Sequence, residues 1–226
     1  MKDFIVQDNC QIPVIGEVYK KYFSSIDKGF FVEVGAYDGR NWTNTGFLAD
    51  IGWEGIYIEP VQRYIDLCKE NHKNNNVVFE QVAIGSSDTV AEIYLADGLS
   101  TIDTQILEAH KVMYPHYSHL EKEIVMVKTL TSILEKYNVS CNFDLLVVDA
   151  EGYEEEIFES FSLQVYRPKM MIVELCDVHG GYSSYPEIQA KAKKVRENIL
   201  DSRYDQIYVD PINTIFWNTD NHLGES

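Results

Sequence analysis

Acidic residues occur at the ends of three apolar runs of the sequence. Glu33 and Asp38 lie in "FFVEVGAYDG", Glu59 ends "GIYIE", and Asp149 and Glu151 follow "FDLLVV". Short apolar runs rich in β-branched residues predict buried strands, and carboxylates are rarely buried in such strands without a partner. Carboxylates accept hydrogen bonds from hydroxyl groups and attract cations. The three groups therefore predict a binding site for a hydroxylated or cationic ligand.

The glycines of the first group, Gly35 and Gly39, are spaced as G-x-x-x-G. Glycine permits a tight turn and a close approach of the backbone to a ligand. The dinucleotide fingerprint G-x-G-x-x-G is not met, and Glu33 and Asp38 would place negative charge where that fingerprint holds a pyrophosphate. A nicotinamide-dependent oxidoreductase is therefore a disfavoured alternative.

The position of Glu59 indicates which hydroxylated ligand fits. An acid that ends the second strand of a nucleotide-binding unit accepts hydrogen bonds from both ribose hydroxyls. S-adenosylmethionine combines a ribose with an amino group and a sulfonium, and it carries no phosphate. Glu59 would bind its ribose, Glu33 or Asp38 its amino group, and the carboxylates at the strand ends would face its sulfonium.

An alternating pattern of strands and helices must position these residues. The strand candidates are 29–36, 54–60, 76–85, 89–97, 143–152, 169–177 and two within 204–219; the helix candidates are 44–53, 61–73, 129–137, 153–161 and 185–202. Asn44 and Thr45 are expected to cap the first of these helices, and Thr129 or Thr131 the third. Repeated βα units predict an α/β fold, a mostly parallel sheet with helices on both faces. Ligands bind such sheets at the carboxyl ends of the strands.

The length of 226 residues fits a single domain, 1–226. Residues 1–28 are interpreted as an N-terminal helical extension. Residues 98–126, rich in His, Tyr and polar residues, are interpreted as a flap or insertion. The aromatic residues Tyr114, His116 and Tyr117 of this flap, with Tyr182 and Tyr185, would suit stacking on sugar rings.

Charge and cysteine spacing argue against several classes of protein. The formal net charge is −17 and no Lys/Arg-rich run occurs, which disfavours nucleic acid and anionic membranes as partners. The four cysteines have no zinc-site spacing. With no apolar run of 18 residues, we expect a soluble protein with reduced thiols in a cytoplasm-like compartment. A homodimer is one possibility that the sequence leaves open.

Two segments resemble the FkbM-family methyltransferases. Residues 31–60, "FVEVGAYDGRNWTNTGFLADIGWEGIYIEP", are similar to the family's first cofactor segment, and "DLLVVDAEGYEEEIF" at 144–158 is similar to its D-x-E-G-x-E signature. The resemblance implies the class I Rossmann-like methyltransferase fold, with a seven-stranded sheet and an antiparallel last strand. It also implies S-adenosylmethionine as the methyl donor and, typically, O-methylation of sugars or natural-product hydroxyls. The acceptor that we predict is a hydroxyl of a sugar, a polysaccharide or a glycosylated small molecule.

The resemblance also assigns roles to individual residues. The expected cofactor-binding residues are Glu33, Gly35, Ala36, Tyr37, Asp38, Gly39, Asn44, Thr45, Glu59, Pro60, Gln81, Val82, Ala83, Asp149 and Glu151. Among these, residues 81–83 would edge the adenine, and Asp149 and Glu151 would lie where the methyl group meets the acceptor. Many family members carry a lysine two residues before the signature Asp, where this chain has Val147. This departure favours the alternative of a non-catalytic cofactor- or glycan-binding domain.

An alcohol acceptor needs a base, because it is a poor nucleophile at neutral pH. Asp149 is the first candidate and His179, after the next strand, is the second. His110, His116 and His119 of the flap are more typical of a surface. A divalent metal on Asp149, Glu151, Asp177 and His179 is conceivable, but no spacing requires it, and no metal is predicted.

Overall fold

The computed structural model describes residues 10–221. Its helices are α1 Ile15–Phe23, α2 Gly46–Asp50, α3 Gln62–Asn71, α4 Thr104–Met113, α5 Leu130–Lys136, α6 Glu154–Glu159 and α7 Pro186–Asp201. Its strands are β1 Phe30–Val34, β2 Glu54–Ile58, β3 Val77–Glu80, β4 Ala83–Ile84, β5 Thr89–Tyr94, β6 Lys122–Lys128, β7 Leu145–Val148, β8 Met170–Glu174, β9 Tyr204–Val209 and β10 Asn213–Asn218. Within these residues no helix has the length and apolar character that crossing a membrane requires.

Seven strands form the central sheet, in the order β3-β2-β1-β7-β8-β10-β9. The first five are parallel to one another, whereas β10 is antiparallel to both β8 and β9. This arrangement confirms the predicted α/β fold with an antiparallel last strand. The strand order reverses at β1, which pairs with β2 on one side and β7 on the other. In open α/β sheets the ligand crevice lies at such a switch point.

Helices cover both faces of the sheet. On one face α1, α2 and α3 pack through Phe23, Leu48 and Ile65, among others, and on the opposite face α5, α6 and α7 pack through residues such as Leu134 and Ile199. All four residues of β7 are buried. Continuous apolar runs are what strands covered on both faces require, which is why the sequence of β7 predicted its position so clearly.

Two stretches differ from the sequence-based expectation. Residues 76–85, predicted as one strand, divide into β3 of the central sheet and β4 of a separate three-stranded sheet with the order β4-β6-β5. The predicted flap, 98–126, contains α4 and the first part of β6. The side chain of Asp103 caps α4 by accepting hydrogen bonds from the backbone N–H groups of Gln105 and Ile106. Of the predicted N-terminal extension, α1 lies within the described residues and positions 1–9 lie outside them.

Candidate functional site

A cavity of about 520 Å³ opens at the carboxyl ends of β1, β2, β7 and β8. The turn after β1 contributes Gly35 to its lining, β2 is followed by Glu59, β7 is followed by Asp149, and β8 ends at Glu174. The volume lies within the range of pockets that hold small molecules and cofactors. The strand ends that carry the predicted acids therefore meet at one cavity.

The charged lining of this cavity is acidic. Carboxylates are contributed by Glu33, Glu59, Asp97, Asp149, Glu151 and Glu174. Across residues 10–221, no lysine or arginine lines the cavity. A diphosphate would find no counter-charge here, whereas hydroxyl groups and cations would find acceptors. This lining disfavours a nicotinamide dinucleotide as the ligand.

The turn after β1 requires glycine at Gly35. Its φ angle is +83°, and a Cβ atom there would lie 1.6 Å from the backbone oxygen of Asp149. The N–H groups of Gly35 and Ala36 both donate to the backbone oxygen of Ile58. The absence of a side chain therefore allows the chain after β1 to touch the chain after β7, so that the two sets of acids face one cavity.

Glu33 is buried at the inner end of the cavity. Thr45 Oγ1 donates to Glu33 Oε2 at 2.5 Å, and Thr43 Oγ1 lies 3.3 Å from both carboxylate oxygens. Burial raises the pKa of Glu33 to about 7, although these hydroxyl donors oppose the shift. Thr45 occupies the N-cap position of α2, but its side chain makes no capping hydrogen bond. The capping prediction for this helix was therefore wrong, because the hydroxyl of Thr45 binds the buried carboxylate instead.

Glu59 is buried where the chain leaves β2, with 6% of its surface exposed. The N–H of Tyr37 donates to Oε2 at 3.0 Å and the N–H of Val61 donates to Oε1 at 2.9 Å. Burial raises the pKa of Glu59 to about 7, and these two hydrogen bonds oppose the shift. Each oxygen accepts one backbone hydrogen bond and, since a carboxylate oxygen has two lone pairs, retains one for a ligand hydroxyl.

A second acidic group lies at the ends of β7 and β8. Asp149, Glu151 and Glu174 each offer a carboxylate oxygen within 4.8 Å of the other two. Burial, and next the charge of Asp149, raise the pKa of Glu151 and of Glu174 well above their usual range. Glu174 was not singled out from the sequence. The signal was the same as for Glu33, an acid inside an apolar run, in "MMIVELC".

Gln11 is a site residue that no sequence pattern indicated. Its amide nitrogen donates to Asp149 Oδ2 at 2.9 Å, and its amide oxygen accepts a hydrogen bond from Asn44 Nδ2 at 3.0 Å. The hydroxyl of Tyr19, in α1, donates to the backbone oxygen of Asn44. The segment around α1 therefore supports Asp149 through Gln11 and Asn44.

Aromatic side chains form a second part of the cavity lining. Trp42, 59% exposed, packs on Tyr37 with a ring separation of 6.0 Å, and Tyr37 packs on Tyr64 at 4.6 Å. From the predicted flap, Tyr114, His116 and Tyr117 also line the cavity. We call these six residues the aromatic rim. Of the flap histidines, His116 thus reaches the cavity, whereas His110 is buried and lies 3.0 Å from the hydroxyl of Tyr182.

The sequence and fold match known methyltransferases. A family model described as the methyltransferase FkbM domain matches residues 33–204. The chain belongs to this family. It is an S-adenosylmethionine-dependent methyltransferase. No curated protein sequence matches the chain.

Two solved structures are similar to this FkbM methyltransferase in fold. The O-methyltransferase from Bacillus cereus, in complex with SAH, is 14% identical, with a TM-score of 0.52 over 94% of this chain and 84% of that one. A protein from Klebsiella pneumoniae assigned to the O-methyltransferases is 12% identical, with a TM-score of 0.53 over 95% of this chain and 81% of that one. Both similarities support the class I methyltransferase fold.

The residues of the FkbM methyltransferase cavity suit S-adenosylmethionine. The carboxylate of Glu59 can accept both ribose hydroxyls, and Pro60, Val82, Ala83 and Ile93 supply apolar surface of the kind an adenine needs. Glu33, Asp149 and Glu151 supply carboxyl oxygens for the amino group and the sulfonium. Of the expected cofactor residues, those that line the cavity are Glu33, Gly35, Ala36, Tyr37, Glu59, Pro60, Val82, Ala83, Asp149 and Glu151.

The other expected cofactor residues have different surroundings. Asp38 stabilises the turn by accepting hydrogen bonds from the backbone N–H groups of Arg40 and Asn41. Gly39 packs on α3, where its carbonyl lies 2.7 Å from His72 Nε2. The side chain of Gln81 is exposed and is not part of the cavity lining. Asn44 and Thr45 act behind the cavity, on Gln11 and Glu33 respectively.

The candidate base His179 and the departure at Val147 can also be located. His179 lies outside the cavity lining, and its Nδ1 accepts a hydrogen bond from the N–H of Gly181. Asp177 forms a two-point ion pair with Arg196, at 2.6 Å for each contact. Val147 packs in the core between β7 and the first helices. The four residues considered from sequence as metal ligands are therefore not brought together, although Asp149 and Glu151 are.

Proposed function

We propose that this FkbM methyltransferase transfers a methyl group to a hydroxyl of a neutral carbohydrate or glycosylated small molecule. The observation that carries the proposal is the combination of an acidic cavity and an aromatic rim. Carboxylates repel phosphorylated or acidic acceptors and accept hydrogen bonds from sugar hydroxyls. Exposed rings such as Trp42 and Tyr114 offer flat apolar faces against which a sugar ring can stack.

Bound S-adenosylmethionine supplies an electrophilic methyl group for in-line displacement. The chain's main contribution is orientation, because aligning an acceptor oxygen with the methyl carbon removes a large part of the barrier. Asp149 is the proposed base. It lies in the cavity at the end of the central strand β7, and Gln11 fixes one of its oxygens. The other oxygen can accept the proton of the acceptor hydroxyl.

The two competing functions meet specific obstacles. A dinucleotide-dependent oxidoreductase would need groups that bind phosphate, and the lining contributed by residues 10–221 contains no lysine or arginine. The non-catalytic alternative rested on the missing lysine at Val147. Because Val147 packs in the core and does not line the cavity, its identity does not remove a group from the cavity itself.

The test is methyl transfer from labelled S-adenosylmethionine to a panel of acceptors, with the product located by mass spectrometry. The panel pairs neutral glycosides with their sugar phosphates, uronic acids and amino sugars. We expect O-methylation of neutral sugars only. Methylation of an amine, or a preference for phosphorylated sugars, would overturn the proposal.

Asp149→Asn tests the base. We expect kcat to fall about 10²- to 10⁴-fold, the usual contribution of a positioned base, while the acceptor's KM changes little. Gln62→Ala, on the exposed surface of α3, is the control and should keep full activity. An Asp149→Asn enzyme with kcat within threefold of the wild type would remove Asp149 from this role.

We also infer that the protein works in a cytoplasm-like compartment. Cys68 and Cys176 are buried thiols that form no disulfide. Unpaired thiols persist in reducing compartments. Fractionation of cells that express the full chain would test this inference, and recovery in an oxidising compartment would contradict it.

A further inference from the structure

The carboxylates of Asp149, Glu151 and Glu174 have a spacing that a single ion can bridge. One oxygen from each lies within 4.8 Å of the others. Two oxygens on opposite sides of one ion are separated by twice the ion–oxygen distance. This oxygen–oxygen separation is about 4.2 Å for Mg²⁺ and about 4.8 Å for Ca²⁺. The three oxygens can therefore bind one divalent ion with small side-chain adjustments.

The hydrogen bonding of these three residues is incomplete. Gln11 donates to Asp149. The atom Glu174 Oε2 is buried, although the residue is only partly so, and it has no hydrogen-bond partner among the described residues. The nearest basic side chain to Glu151 is His110, whose Nε2 lies 3.6 Å from Oε2. Buried polar atoms are stabilised by hydrogen bonds, paired charges or metal coordination, and Glu174 Oε2 receives no hydrogen bond from the described residues.

The loop that carries Glu151 directs it to this position. Glu151 has φ +51°, in the left-handed region that few non-glycine residues adopt. Thr101 Oγ1 donates to its backbone oxygen at 2.8 Å. Glu154 Oε1 accepts hydrogen bonds from the N–H groups of Ala150 and Gly152. The backbone on both sides of Glu151 is therefore fixed, and the coordinating arrangement would need little reorganisation on binding.

We propose that Asp149, Glu151 and Glu174 form a binding site for a divalent cation with a preference for oxygen ligands, such as Mg²⁺, Mn²⁺ or Ca²⁺. Three carboxylates leave coordination positions open, because these ions take six to eight ligands. The cavity side of the ion would hold water or oxygens of the acceptor. If the acceptor is a carbohydrate, as proposed above, two adjacent hydroxyls would chelate the ion and be placed beside Asp149. That role rests on the proposed function, whereas the binding of the ion does not.

The experiment is a Mn²⁺ titration of the full chain after chelator treatment and dialysis, with free Mn²⁺ followed by electron paramagnetic resonance. Neither methyl donor nor acceptor is added. We expect saturable binding of about one Mn²⁺ per chain, weakened at least tenfold in Glu174→Gln and in Glu151→Gln. Mg²⁺ or Ca²⁺ should displace the bound Mn²⁺.

Glu59→Gln is the matched control, because Glu59 is a buried glutamate of the same cavity outside the three-carboxylate group. It should keep the wild-type Mn²⁺ affinity. Thermal unfolding and S-adenosylhomocysteine binding show whether Glu174→Gln is folded, and Glu151→Gln supplies the test if it is not. Absence of saturable binding overturns the proposal, as does equal weakening by Glu59→Gln. Mn²⁺ binding without any sugar methylation would contradict the proposed function alone.

Discussion

Replacing Glu59 with glutamine tests the assignment of the ribose-binding residue. The two carboxylate oxygens each accept one backbone N–H, from Tyr37 and Val61. Each also has a lone pair that can accept a ribose hydroxyl. Glutamine has the same shape but offers one acceptor oxygen, and its NH₂ group cannot accept. The variant therefore loses one charge-assisted hydrogen bond to the ligand.

A hydrogen bond to a charged group contributes about 1.5–3 kcal/mol. At about 1.4 kcal/mol per factor of ten in affinity, Glu59→Gln should raise the Kd for S-adenosylhomocysteine about 10- to 150-fold at pH 8. Because burial raises the pKa of Glu59 to about 7, the wild-type carboxyl is ionised at pH 8 and largely protonated at pH 6. The affinity difference between the wild type and the variant should therefore be smaller at pH 6.

Isothermal titration calorimetry at both pH values measures these affinities. Glu80→Gln is the control, because Glu80 ends the neighbouring strand β3 and is similarly buried, at 8% exposure, yet it pairs with Lys136 outside the cavity. Glu80→Gln should leave the Kd unchanged. A change below threefold in Glu59→Gln at pH 8, or an equal change in Glu80→Gln, would refute the ribose assignment.

Three further predictions follow from single features of the structure. First, the free energy of unfolding of the ligand-free protein should fall by about 1–2 kcal/mol between pH 5.5 and 7.5 through Glu59 alone. The reason is that the raised pKa of Glu59 in the folded state lets the folded chain bind more protons than the unfolded chain in this range. Urea unfolding should show a smaller fall in Glu59→Gln, and equal falls in the two proteins would contradict the raised pKa. Second, Gly35→Ala should destabilise the protein by more than about 3 kcal/mol, since its Cβ would meet the backbone oxygen of Asp149. Gly52→Ala is also at positive φ but its Cβ would have nothing within 4 Å, and it should destabilise the protein by about 1–2 kcal/mol. Urea midpoints measure both changes, and equal destabilisation would show that the contact with Asp149 is unimportant. Third, Trp42→Ala should raise the acceptor's KM several-fold while the Kd for S-adenosylhomocysteine changes less than twofold, and weaker cofactor binding would remove Trp42 from acceptor recognition.

The sequence predicted most of the central sheet because each strand carries its own signal. The apolar runs of β1, β2, β7 and β8 end in acids or glycine, and strands of a parallel sheet present these ends at one edge. Glu33, Glu59 and Asp149 could therefore be placed at one cavity without knowledge of any contact. The helix α4 was missed because one of its four buried residues is the polar His110, beside Ile106, Leu107 and Ala109.

Other features depend on tertiary contacts and have no local signal. Gln11 lies 138 positions from Asp149, and only the packing of α1 against the sheet brings them together. Thr45 has the residue type of a helix cap, yet its hydroxyl bonds to the buried carboxylate of Glu33 and does not cap α2. A hydrogen bond to a charged carboxylate is stronger than one between a hydroxyl and a backbone N–H. His179 was selected because it follows β8, but the turn at 180–182 engages its ring nitrogen outside the cavity. Residue type and proximity in sequence were insufficient in each case.

The acids of the cavity lower the stability of the ligand-free fold, and this cost itself points to function. Glu33 and Glu59 are buried enough for their pKa values to rise to about 7. At neutral pH the ionised carboxylates are therefore less stable in the folded chain than in the unfolded chain, which lowers the free energy of unfolding. Apolar residues at these positions would avoid that cost. A ligand that brings hydroxyl donors and positive charge removes it on binding, because its groups replace the water that the carboxylates lost. The same groups that destabilise the free protein therefore favour S-adenosylmethionine over an uncharged nucleoside, and the preference should increase as the pH rises through 7.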